Sequence, residues 1–217
     1  MSVTSSKDAT ISKAPRRSNW LHSDAANICT LICATNETKG RELWERVCQG
    51  DVEAATTAIF TAYNSARGRI IRVAYQQKVP AAAFGAMLSD GWDHDHHWLI
   101  RAANGTRGRR TLKCWFDRAA FDVSHLPNPV TVYRGGTIPP GRDWSFLATG
   151  FSWTLKLETA AFFARRFPHM GDPTIVRATV PRTFIKAHMT SRDEDEVVIL
   201  DLIKHVSLEP VPPGPTM

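Results

Sequence analysis

The stretch Leu126-Pro127-Asn128-Pro129 divides the chain between two side-chain periods that no single element can satisfy. Before it, apolar residues return every three to four positions, as in "GRELWERVCQGDVEAATTAIFTAYNSA". There Leu43, Val47, Val52, Ala55, Ile59 and Tyr63 share a helical face that is interrupted at Gln49-Gly50. "AAAFGAMLSDGW" and "RRTLKCWFDRAAF" read as two further helices. After the proline pair the period falls to two: "VTVYRGG" is a β-branched run stopped by glycines, and "TIVRATVP" is a strand stopped by proline. "FIKAHM" and "EVVILDLI" are two more strands, separated by the charged turn "TSRDED". A helical first half followed by a β-rich second half predicts an α+β fold.

With 43% hydrophobic and 22% charged residues, the 217-residue chain has ordinary globular usage and length for one sizeable core. Residues 1–18 read as a disordered basic tail and 210–217 as a proline-rich tail. A single domain is expected over 19–209, helical over 19–126 and β-rich over 127–209. A formal charge of +6 favours anionic partners. Cys29, Cys33, Cys48 and Cys114 have no disulfide-framework spacing, which points to a reducing compartment. No run is long and apolar enough for a membrane span, and the first twenty residues lack a Sec-type apolar core. A cytoplasmic protein is therefore expected, with delivery to a target cell by a non-Sec route still open.

Four stretches contain residues capable of chemistry. "DGWDHDHHWLI" holds Asp93, His94, Asp95, His96 and His97, all metal-ligand types. Adjacent residues on a regular element diverge, so the run is expected to be a polar surface turn and not a metal site. "SRDEDEVVIL", as a strand, places Glu194, Glu196, Val198, Leu200 and Leu202 on one side, so two carboxylates share the mouth of a buried strand. Taken alone, this is a solvated turn feeding a core strand. Arg134 ends a strand before Gly135-Gly136 and can project into a cleft to hold phosphate; its plain alternative is a surface arginine before a turn. In "GFSWTLKLETAAFFARRF" a short strand turns into a helix at Ser152-Trp153-Thr154, which is a helix cap or one wall of a site.

The order of these pieces changes their weight. An arginine on a first strand, Gly-Phe-Ser-x-Thr entering a helix, a strand ending in Val-Pro, then Glu-x-Glu-Val-Val-Ile-Leu resembles the Arg-Ser-Glu class of mono-ADP-ribosyltransferases, which includes the cholera-toxin-like, arginine-specific toxins. The resemblance spans residues 130–208; the helical half matches only in kind. It implies two packed, mainly antiparallel sheets around a cleft for NAD, the co-substrate, and no metal.

It further implies that Glu196 stabilises the oxocarbenium-like ribose as nicotinamide leaves. Ser152 would orient Glu196, and Arg134 would hold the dinucleotide phosphates. Gly135 would let the backbone pass close to the ligand, Thr154 would cap the helix and brace the cleft, and Trp153 would belong to the NAD-binding motif. The family's usual small residue is replaced at Trp153, whose side chain alternation turns away from Ser152. A glutamate at position 194 goes, in that class, with arginine as the modified residue. The loop "RRFPHMGDP" offers Arg165, Arg166 and Phe167 to cover the ligand.

The resemblance thus implies a toxin, effector or phage-related factor that modifies a macromolecule, protein arginine before nucleic acid. Three alternatives remain at this point: the same site acting on nucleic acid, a non-catalytic NAD-binding module of the same fold, and a metal hydrolase built on the histidine run.

Overall fold

The computed structural model describes residues 27–104 and 108–213; the expected tail at 1–18 and the end of the proline-rich tail lie outside the described residues. The helical half comprises α1 (Ile28–Ile32), α2 (Glu37–Cys48), α3 (Val52–Thr61), α4 (Asn64–Gln76), α5 (Ala81–Ala102) and α6 (Arg109–Ala119). The break expected at Gln49-Gly50 separates α2 from α3. The Asp51 side chain accepts from Ala54 N at 2.9 Å, so α3 starts on a capped first turn. In this family of helices the apolar stripes converge on a core containing Val47, Ile59, Ile70, Phe84, Leu88, Trp92 and Trp115.

Six strands follow: β1 (Val130–Ile138), β2 (Ser152–Thr154), β3 (Asp172–Val180), β4 (Ile185–Met189), β5 (Glu196–Ile199) and β6 (Ser207–Glu209). Two helices interrupt them, α7 (Ser145–Ala148) before β2 and α8 (Leu157–Arg165) before β3. The α+β expectation is met, with all strand pairs antiparallel. The expected two packed sheets are instead one six-stranded sheet in the order β4-β5-β2-β1-β3-β6. Its middle is thin, however, because β2 has three residues and meets β1 only at Tyr133 opposite Thr154.

Helices cover one face of the β5 side of the sheet: Ala187, Met189, Val198 and Leu200 belong to the same core as Trp92. The other face carries a second cluster that includes Val132, Trp153, Val176, Val197 and Ile199. Burial on both faces is why "VVIL" reads as a continuous apolar run and not as an alternating one. Among the described residues, no helix is long and apolar enough to cross a membrane.

Candidate active site

Strand pairing gathers residues that are far apart in the chain. Thr154 of β2 sits opposite Glu196 of β5, Ser152 opposite Val198, and Tyr133 of β1 opposite Thr154. Arg134, Ser152 and Glu196 therefore come from three consecutive strands. All three line a cavity of about 390 Å³, together with Asp93, Arg192 and Glu194. That volume lies within the ~300–1,000 Å³ range of small-molecule sites. Phe163 and Arg166, at the end of α8, line it as well, so one of the two loop arginines expected to cover a ligand does reach it.

Glu196 is the first residue of β5, and its Oε1 accepts a hydrogen bond from Trp92 Nε1 at 2.8 Å. Burial pushes its carboxyl above the usual range, and the charges of Asp93 and Glu194 push the same way; bonding to Ser152 and Trp92 opposes them. The Ser152 hydroxyl stands close enough to favour the carboxylate, although its Oγ does not complete a hydrogen bond of good geometry and is buried. The serine thus stands beside Glu196.

Arg134 is half-buried. Its Nη1 donates to the Ser152 carbonyl, tying β1 to β2 where the sheet is thinnest, and its buried Nε has no partner among the described residues. Burial lowers its pKa, and Glu196 opposes that shift. The guanidinium lies flat on Gly150, where a Cβ would come within 2.2 Å of Cζ. Arg134 is therefore not an exposed turn arginine: it braces the strand that carries Ser152.

Three expected site residues have other jobs. Gly135 lines the cavity, but its missing side chain is explained by α8: a Cβ would stand 1.7 Å from the Ala160 carbonyl oxygen. Close approach of helix to strand, and not of a ligand, requires glycine there. Trp153 is 2% exposed in the cluster behind the sheet, with Nε1 donating to the Gly150 carbonyl at 3.2 Å. It borders the cavity, while its side chain packs into that cluster, as alternation with Ser152 dictates. Thr154 does not cap the first turn of α8; its hydroxyl accepts from Lys156 N at 3.0 Å and donates to the Glu194 carbonyl at 2.6 Å. It braces the cleft by fixing the turn that carries Glu194.

That turn also departs from the period-two reading. Asp193 and Asp195 have φ of 54° and 44°, so the strand does not extend back through Glu194, and Leu202, expected on the buried side, is exposed. Glu194 and Glu196 both reach the cavity, but a left-handed turn brings them there. Lys156 holds the turn through Asp193 at 2.7 Å and Asp195 at 3.0 Å. Glu194 Oε1 accepts from Arg192 Nη2 at 2.6 Å and from Arg192 Nε at 3.2 Å.

The histidine-aspartate run is not a surface turn. It lies within α5, whose helical geometry breaks at Asp95 (φ −150°, ψ 42°). Asp93 and Asp95 are both buried because each has partners. Asp95 Oδ2 accepts from Arg67 Nη1 at 2.5 Å, Asp93 Oδ2 accepts from Ser191 Oγ, and the Asp93 carbonyl accepts from Arg192 Nη1. Burial raises the Asp93 pKa against that serine bond. The kinked segment forms the wall facing the strands. Among the described residues, no three His, Cys, Asp or Glu side chains converge to hold a metal ion.

Trp92, Ser191 and Arg192 are site residues that the sequence reading missed, and Asp93 was read there only as part of a polar surface turn. The only available signal was the placement of two aspartates, two apart, in a helix otherwise rich in buried residues. No family model, curated protein or solved structure matches this chain.

Proposed function

We propose that this chain is a mono-ADP-ribosyltransferase that cleaves NAD and transfers ADP-ribose to a macromolecule, with protein arginine as acceptor. The observation that carries the proposal is the convergence of Arg134, Ser152 and Glu196, from three adjacent strands, on one cavity with a half-buried carboxylate. Two buried polar atoms there, Arg134 Nε and Ser152 Oγ, have no completed protein hydrogen bond, as suits a site built for a polar ligand.

The chemistry follows from charge. Breaking the bond between nicotinamide and ribose releases a neutral base and leaves positive charge on the sugar. An ionised Glu196, aimed by Trp92 and flanked by Ser152, stabilises that charge more than it stabilises the ground state. Its burial keeps water from screening the interaction. Arg134 and Arg166 supply cationic groups around the cavity for the two phosphates. Glu194, further out on the turn, is positioned to hold a guanidinium and accept its proton; it already binds one in Arg192.

The test is incubation of the protein with NAD labelled in the adenylate moiety and a cell lysate, followed by separate protease and nuclease digestion. The proposal expects released nicotinamide and macromolecular label that only protease removes. Label removed by nuclease alone would transfer the acceptor assignment to nucleic acid. Absence of nicotinamide release with and without lysate would overturn the enzyme reading.

A further inference from the structure

The acceptor side of the cavity already contains an arginine, and it belongs to the same chain. Arg192 lies between the two walls: its Nη2 and Nε donate to Glu194 Oε1 at 2.6 and 3.2 Å, and its Nη1 donates to the Asp93 carbonyl. Its side chain remains 45% exposed, and Glu194 and Glu196 both line the cavity with it. The backbone on either side is fixed, through Ser191 bonded to Asp93 and Asp193 bonded to Lys156. A guanidinium so held has little orientational freedom left to lose before reaction.

We propose that Arg192 is a modification site of this protein: the chain transfers ADP-ribose to its own Arg192. The proposal rests on the reading of the site as an ADP-ribosyltransferase. In the step, Arg192 Nη2 forms a bond to the anomeric carbon of the nicotinamide ribose of NAD as the bond from that carbon to nicotinamide breaks. Nicotinamide departs as a neutral molecule with the electron pair of the broken bond. The proton shed by Nη2 passes to the carboxylate of Glu194, 2.6 Å away. Nothing is oxidised or reduced, and NAD is the only co-reactant. Once modified, Arg192 carries a bulky dianionic group at the acceptor side, so nicotinamide release should slow as self-modification proceeds.

The full chain is incubated with NAD alone. Released nicotinamide is quantified, intact mass is followed, and the modified peptide is located by fragmentation that retains ADP-ribose. The expected result is one ADP-ribose on Arg192, formed at a fractional rate independent of protein concentration, and absent in Glu196→Gln. Nicotinamide release with Arg192 unmodified, or with label only on other residues, would overturn the self-modification and leave the transferase reading standing. A fractional rate that rises with protein concentration would overturn transfer within one chain. Equal label on the Glu196→Gln chain would identify the adduct as non-enzymatic and overturn it too. No nicotinamide release by the unaltered chain would overturn both readings together.

Discussion

Replacing Trp92 with Phe isolates the bond that aims Glu196. Trp92 is 0% exposed, and its Nε1–H meets Glu196 Oε1 at 2.8 Å, while its ring packs edge-on against Phe116 with centroids 5.0 Å apart. A hydrogen bond to a charged group contributes about 1.5–3 kcal/mol net. This one favours the ionised carboxylate, so its loss should raise the Glu196 pKa further. Burial has already moved that pKa upward, so the two effects add. The working form is the carboxylate, which means that the acid limb of the pH–rate profile must move to higher pH. The indole's missing atoms also leave a void, for which a stability loss of about 1–3 kcal/mol is expected. The assay is nicotinamide release against pH for both proteins, with carboxyl NMR of Glu196 as a readout independent of turnover. An acid limb that stays in place or moves downward in Trp92→Phe would refute the reasoning.

Glu194→Gln should lose transfer to arginine acceptors while retaining slow NAD hydrolysis, measured as label incorporation beside nicotinamide release; transfer at the unaltered rate would contradict the acceptor role. Asp95→Asn leaves the buried Arg67 guanidinium without its charge partner and should lower stability by about 3–5 kcal/mol in denaturant unfolding. A loss below about 1 kcal/mol, typical of an exposed pair, would contradict the burial argument. Gly150→Ala places a Cβ 2.2 Å from the Arg134 guanidinium and should cost about 1–3 kcal/mol of stability together with NAD affinity by calorimetry; unchanged affinity would mean that Arg134 has room to move.

Much of the architecture was legible because it rests on period. The stripe through Leu43, Val47, Ala55 and Ile59, the stop at Gln49-Gly50 and the β-branched runs after Pro129 are local signals that the elements follow, although Val52 and Tyr63 of the same stripe are exposed and β1 continues through Gly135-Gly136 to Ile138. The site was legible only where a strand fixes the residue. Arg134, Ser152 and Glu196 converge because β1, β2 and β5 are neighbours, and Trp153 turns away because side chains alternate. At Gly135, a glycine needed for helix packing looks, in sequence, like one needed for a ligand. The Asp93–His97 run was misread because the burial of its two aspartates depends on Arg67, Ser191 and Arg192, partners that local polarity cannot reveal. Trp92 gave no signal at all, since its bond to Glu196 crosses 104 residues.

The central claim is that Glu196 is a carboxylate kept in the cavity for chemistry at a cost to the fold. Its folded-state pKa lies above the ordinary carboxylate value, so the native chain holds this proton more tightly than the unfolded chain. Stability from this group is therefore present at acid pH and is lost as pH rises through the raised pKa. Glu196→Gln removes that charge, and the direct measurement is nicotinamide release and thermal unfolding on the same preparation at neutral pH. The account predicts that release falls by about 10²- to 10³-fold or more while the melting temperature holds or rises. Release within about tenfold of the unaltered protein, from a variant that folds normally, would contradict it.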